Sequence, residues 1–441
     1  MATEITCRYD LNAVNGKSLA PLYDYTKSSE NESDVDALLN NNRLTKKAWF
    51  YKEKTYTIVR YNKQLLSNDL RLTSGNFRSV IIHDGKVVCF APPKSQTLPR
   101  FAQDVPSASI TSEEFVEGTM INMFWTGDEW EIATRSSVGG KVAFFTTEST
   151  LKNKADNTFR WMFLDAISHH EALGEDVDFF SSFSDIPKNY CFSFVLQHPN
   201  NRIVVPFSQP NIYLVAAYSI EDNVVTGINL DSVKSMLPSF VKYPEQHQFT
   251  SIEDAVNTFT LPDATYKTVG IMLKGEDGVR AKVRNPLYEN VRVLRGNQPK
   301  LQYRYLMLRQ NQKVTEYLKY YPEHSKLFSK YRNMIHNFTK RLHDNYISCY
   351  VKKQAPLNTY SPQYRTNMYK LHEKFVNDLL PIKSVVTRSV VIDYVNHLPL
   401  QILMHAVNYQ YRSMTRDENN MQLESQIKQD EDNVSMDTEE A

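Results

Sequence analysis

The chain has 441 residues, 41% of them hydrophobic and 12% aromatic, and a formal net charge of +1. That length and composition can bury a core in two or three domains, and the balanced charge excludes global electrostatic steering to nucleic acid or membrane. Cys7, Cys89, Cys191 and Cys349 are far apart and form no CxxC pair, which argues against a disulfide framework or a Cys-rich zinc site. The start "MATEITCRYD" lacks the basic and apolar regions of a signal peptide, and no apolar run is long enough to span a bilayer. A soluble, intracellular, cytoplasmic protein with no membrane partner is expected.

In chain order, residues 1–45 are polar, with "KSSENESDVDALLNNN" as their signature, and are expected as an N-terminal arm. From 46 to 297 the text reads mainly as strands: "YTIVRYN", "SVIIHDGKVVCFA", "TMINMFWTGDEWEIATRSS", "YCFSFVLQ", "RIVVPF" and "NIYLVAAYSI". Asp84-Gly85 and Gly127-Asp128 each separate two such runs, as hairpin turns do. "TFRWMFLDAISHHEAL" has helical spacing of its apolar residues. This is an α+β domain with antiparallel sheets. From 298 to 412 the pattern becomes helical throughout, which predicts a separate all-α domain. Residues 413–441 are acidic and lack aromatics, the composition of a disordered tail.

Charge follows these boundaries. Between Arg280 and Lys383 there are roughly twenty Lys and Arg against about six Asp and Glu, with tyrosines threaded among them. A solvated helix surface accounts for such a segment. So does a surface for a phosphate backbone, with aromatic rings as stacking platforms, which makes RNA the expected partner.

Six segments then fall in one order. "FRSVIIHDGKVVCFAPPKS" contains Arg78 and Lys94. "FVEGT" (Phe115–Thr119) holds an acidic residue and a glycine, Glu117 and Gly118. "WEIATRSSVGG" contains Arg135. "YCFSFVLQHPNNRIVVPF" runs through Ser193 and Asn201-Arg202-Ile203-Val204. "TYKTVGIMLKG" contains Val269-Gly270, and "RAKVRNPLY" contains Lys282 and Arg284. Together they resemble the phage-type ATP-dependent RNA ligases, within the covalent nucleotidyltransferases, and in particular RNA-ligase-like proteins of large DNA viruses. The resemblance covers about residues 50–295. It implies a nucleotidyltransferase domain with antiparallel sheets around a nucleotide groove. It also implies that Arg78, Lys94, Arg135, Lys282 and Arg284 face phosphates, and that Glu117 contacts a ribose.

In that family a lysine in a K-x-D/E/N-G frame attacks the α-phosphate of a nucleotide. Such chemistry needs an amine with a lowered pKa, cations on the phosphates and Mg²⁺ held by carboxylates. Here Phe115 stands at the lysine position, and Ser193 and Val269 stand where two metal-linked glutamates are implied. A phenyl ring has no lone pair and cannot attack phosphorus. The expectation is a pseudo-ligase that binds RNA ends or a nucleotide, with no metal site and no cofactor. Two other readings stand beside it. One is an active RNA ligase using ATP, Mg²⁺ and a non-standard lysine, Lys94 or Lys141. The other is a structural component of a virus particle or RNA-processing complex. Elsewhere, His170-Glu171 begins like H-E-x-x-H, but Gly174 replaces the second histidine; "LKGEDG" is too short for a P-loop and reads as a turn.

Overall fold

Residue alternation explains the sheets of the first unit. The strand Tyr190–Gln197 is apolar almost throughout and buried on both faces. It lies at the centre of a seven-stranded antiparallel sheet, ordered Arg8–Asp10, Val224–Ile228, Asn211–Glu221, Tyr190–Gln197, Thr119–Trp125, Trp130–Thr134, Ser137–Val138. One face packs a core containing Phe124, Cys191, Tyr218 and Phe90. The other packs Ile121, Met123, Phe192 and Phe194 against the helix Phe159–Ser168. This computed structural model describes residues 7–144, 157–170, 180–261 and 264–410, and the chain divides into two units, Met1–Gly296 and Asn297–Ala441.

A four-stranded sheet, Leu44–Tyr51, Lys54–Tyr61, Val80–His83 and Lys86–Phe90, joins the first core. Its Asp84-Gly85 turn has φ of +47° and +72°, the two positive values that a tight hairpin linking right-twisted strands requires. The third sheet is smaller: Gln246–His247, Thr111–Glu114, Gly270–Lys274, Arg280–Arg284. Here period two separates two chemistries. Ala281 and Val283 pack with Ile271, Leu273, Phe101 and Phe259. Arg280, Lys282 and Arg284 therefore share the opposite face.

Two expectations are corrected in this unit. The polar stretch up to residue 45 carries an edge strand of the seven-stranded sheet and two helices, Ala20–Ser28 and Glu32–Asn41. Its few apolar residues, Leu19, Leu22, Tyr23, Val35 and Leu39, are buried in the core, so sparse helical spacing suffices where a core waits to receive it. "RIVVPF" is not a strand. The amides of Val204 and Val205 donate to the Glu117 carboxylate, and Pro206 has no donor, so this backbone is satisfied without a ladder.

The second unit is helical: Leu301–Gln310, Val314–Tyr320, Ser325–Tyr346, Pro362–Lys374, Arg388–Asn396 and Leu400–Val407. Many of its tyrosines are core residues rather than surface platforms. Tyr305, Tyr317, Tyr321, Tyr331, Tyr346 and Tyr364 are buried. Tyr317 stacks on Tyr321 at 4.6 Å between ring centroids and on Phe328 at 5.2 Å. Helical spacing aims these rings inward while lysines alternate outward. Among the described residues no helix is long and apolar enough to cross a membrane. The tail 413–441 lies outside the described residues, as do Glu171 and Gly174.

Candidate functional site

The segment Phe115–Gly118 connects the small sheet to the seven-stranded sheet, between the strands Thr111–Glu114 and Thr119–Trp125. The Phe115 amide donates to the Gly270 carbonyl at 3.0 Å. Gly118 has a φ of +152°, and a Cβ there would collide with the Leu196 carbonyl oxygen. Only glycine lets the connector pass this close to the neighbouring strand. The half-buried Phe115 ring lies beneath Lys282, whose Nζ is 4.6 Å from the ring centroid, and 5.9 Å from the Arg284 guanidinium carbon.

The polar face of the small sheet supplies Arg280, Lys282 and Arg284 to this place. Arg280 is buried and donates to the carbonyls of Pro92 and Pro93 at 3.1 and 2.6 Å, which holds the segment carrying Lys94 against the sheet. Arg135, just beyond the strand Trp130–Thr134, donates from Nε to the Arg78 carbonyl at 3.3 Å and lies 5.0 Å over the Tyr61 ring. Burial pushes the Lys282 ammonium down to about 6, helped by the charges of Arg280, Arg78, Arg284 and Lys94. Burial pushes Arg78 down to about 10, with Arg280 and Arg135 adding repulsion. Lys94 is lowered by burial and then by Arg71, Arg78, Lys63 and Arg135. These groups act on one another because they share one space, the mutual repulsion expected of like charges in a partly dry setting.

Among the described residues the side chains of Arg78, Lys94, Arg135 and Lys282 form no ion pair. Arg284 pairs with Glu289 at 2.9 Å. Glu113 is held by Lys274 at 2.6 Å. Glu117 is buried, its oxygens accepting from the amides of Val204 and Val205 at 2.9 to 3.2 Å and from the Tyr288 hydroxyl. That carboxylate is engaged in shaping the 202–205 loop, where Arg202 donates to the Val204 carbonyl at 3.0 Å.

A divalent ion would need oxygen ligands here. Ser193 is fully buried and its hydroxyl donates to the Asn122 side-chain oxygen across the strand pair at 2.8 Å. Val269 is buried and offers no side-chain donor atom. The residues at these positions do not fit a Mg²⁺ site. No group of three or more His, Cys, Asp or Glu suited to a metal occurs among the described residues.

Of the sequence-expected residues, Arg78, Lys94, Arg135, Lys282 and Arg284 gather around Phe115 or around one another, whereas Glu117 and Arg202 serve the adjacent loop. Lys141 is exposed, 5.4 Å over the Tyr51 ring, and does not join the charges acting on Lys282. Sequence reading missed Arg280; the alternation in "RAKVR" was the available signal. A separate cavity of about 370 Å³ is lined by Glu114, Glu117, Glu245, His247, Phe249 and Val269 among others. None of the clustered cations borders it, so the cavity and the cation cluster are different places.

No family model matches the chain, and no curated protein matches it. Among solved structures, an archaeal ATP-dependent RNA ligase matches at 11% identity and a TM-score of 0.37, over 70% of this chain and 77% of that one. A putative ATP-dependent DNA ligase from Aquifex aeolicus matches at 12% identity and 0.35, over 88% and 80%. A Naegleria gruberi RNA ligase mutant with ATP and Mn matches at 10% identity and 0.32, over 44% and 54%.

Proposed function

We propose that the first unit binds a phosphate-bearing ligand, an RNA end or a nucleotide, in the cationic groove around Phe115, without nucleotidyl transfer from that position. The observation that carries this reading is the cluster of Arg78, Lys94, Arg135, Arg280 and Lys282, whose charges lower the proton affinity of Arg78, Lys94 and Lys282 and which forms no ion pair with a carboxylate among the described residues. A fold keeps such repulsion only at a cost, and a polyanion relieves it. In the helical unit, Lys326, Lys330, Lys340 and Arg341 are exposed on the single helix Ser325–Tyr346 and suit backbone phosphates of RNA. The test pairs two measurements. Labelled 5′-phosphorylated RNA should bind with strong salt dependence. Incubation with α-labelled ATP and Mg²⁺ should leave no covalent, hydroxylamine-labile adduct. Loss of binding, or such an adduct, sinks the proposal. Stable co-purification in a larger assembly without RNA binding would instead favour a scaffold role.

One observation favours a second reading, nucleotidyl transfer from a non-standard lysine. With its proton affinity lowered by burial and by the neighbouring cations, Lys282 holds a larger neutral fraction at pH 7 than an ordinary lysine, beside the position where a nucleophile is expected. This points to Lys282 in preference to Lys94 or Lys141. An ATP-derived label on the native chain that disappears in Lys282→Met would establish it.

A further inference from the structure

Resting on the phosphate-binding reading, we infer that the groove takes its polyphosphate as the bare anion, and that a divalent metal competes with binding instead of assisting it. The argument is one of donor chemistry. Mg²⁺ binds through oxygen ligands, commonly one or two carboxylates together with the substrate phosphates. The side-chain oxygens of Ser193, Glu113, Glu289 and Glu117 are otherwise engaged, and Glu114 and Glu245 line the separate cavity that none of the clustered cations borders. The Ser193 hydroxyl donates to Asn122 in a buried strand pair. Glu113 is held by Lys274 at 2.6 Å and Glu289 by Arg284 at 2.9 Å. Glu117 carries two backbone amides and the Tyr288 hydroxyl.

The remaining side chains are cations, and they come from different elements. Arg280, Lys282 and Arg284 share one face of one strand. Arg78 precedes the strand Val80–His83, Lys94 follows Pro92 and Pro93, and Arg135 follows the strand Trp130–Thr134. A divalent ion among them would meet repulsion from several directions and find few ligands. A phosphate chain instead meets donors on several sides, and its charge matches theirs. Protein cations stand in for the metal here. Complexing the ligand with Mg²⁺ removes two of its negative charges and so removes part of what the groove recognises.

The test uses the full chain and ATP as the probe, with affinity measured calorimetrically at fixed ionic strength in EDTA and in excess Mg²⁺. Binding in EDTA that is weakened by Mg²⁺ is the expected result, by about threefold to tenfold given that a charge-assisted hydrogen bond is at stake. Binding that Mg²⁺ tightens, or that requires it, overturns the inference and leaves the phosphate-binding reading standing. Absence of binding in both buffers overturns that reading itself, and the inference with it. Arg78→Met ties the signal to the groove. This replacement relieves repulsion and keeps an apolar stem of similar length. It should weaken binding in EDTA about tenfold, the order expected for one charged hydrogen bond. Unchanged affinity would place the ATP elsewhere and overturn the assignment.

Discussion

Replacing Lys282 by methionine should make the protein more stable and its groove weaker. The ammonium falls from an ordinary 10.5 to about 6 in the fold, through burial first and then Arg280, Arg78, Arg284 and Lys94. Between those two values the unfolded chain holds a proton that the folded chain does not. Stability therefore rises with pH across that window and is lowest below it. At pH 7 the ceiling on this cost is ~5 kcal/mol, from 1.36 kcal/mol for each pH unit between 7 and 10.5. Lys282 is only partly buried, and solvent screening brings the expectation to about 2–3 kcal/mol at pH 7, falling towards zero as pH approaches 10.5. Methionine keeps the alkyl stem on the Phe115 ring and puts a sulfur–aromatic contact in place of the amine. Urea unfolding of both proteins at pH 6, 7, 9 and 10.5 reads the difference directly. A variant no more stable than the native chain at pH 7, or a gain that does not shrink as pH rises, would refute the reasoning.

The same electrostatics predicts that ATP affinity in EDTA increases as pH is lowered from 8 to 6, because bound phosphate favours the protonated Lys282; calorimetry in buffers of different ionisation heat should show proton uptake. Phe115→Lys adds a cation beside Lys282 and Arg284 and should cost about 1–3 kcal/mol in denaturant unfolding, while still forming no adenylate with ATP and Mg²⁺. Gly118→Ala should cost about 2–4 kcal/mol, since the new Cβ meets the Leu196 carbonyl oxygen at a φ of +152°; a thermal midpoint equal to the native one would contradict this close approach. Glu117→Ala orphans the amides of Val204 and Val205 and should cost roughly 2–4 kcal/mol, with Glu117→Gln losing clearly less because its carbonyl still accepts from them. Reversing Lys326, Lys330 and Lys340 to glutamate should reduce the slope of log affinity for single-stranded RNA against log salt by about 2, near 0.7 for each phosphate no longer neutralised.

Much of the site can be read along the chain. The Asp84-Gly85 turn, the alternation of the strands and the helix Phe159–Ser168 are local matters of φ preference and periodicity, and each lies where its residues place it. Phe115 is visible as an aromatic ring before an acidic residue and a glycine without any structure. The roles of Glu117 and of the tyrosines were not legible in the same way. An acidic residue before a glycine looks the same whether its carboxylate faces a ligand or caps a loop. Here the loop 202–205, more than eighty residues away in sequence, supplies the amides that engage it. Tyr317 and Tyr321 sit among basic residues in the sequence yet stack inside the helical core, because a helix turns neighbours to opposite faces.

What the sequence determined by itself is the chemistry at each position: no nucleophile at 115, no carboxylate at 193 or 269, and three cations at alternate places in "RAKVR". Tertiary structure decided which of these groups meet. Arg78, Lys94, Arg135 and Lys282 come from four separate segments, and only the packing of sheets brings the charges close enough to lower the proton affinity of Arg78, Lys94 and Lys282. The physical reason is range. Periodicity and turn preference act over a few residues and leave a signature in the chain, whereas Coulomb repulsion and burial depend on distances that folding alone creates.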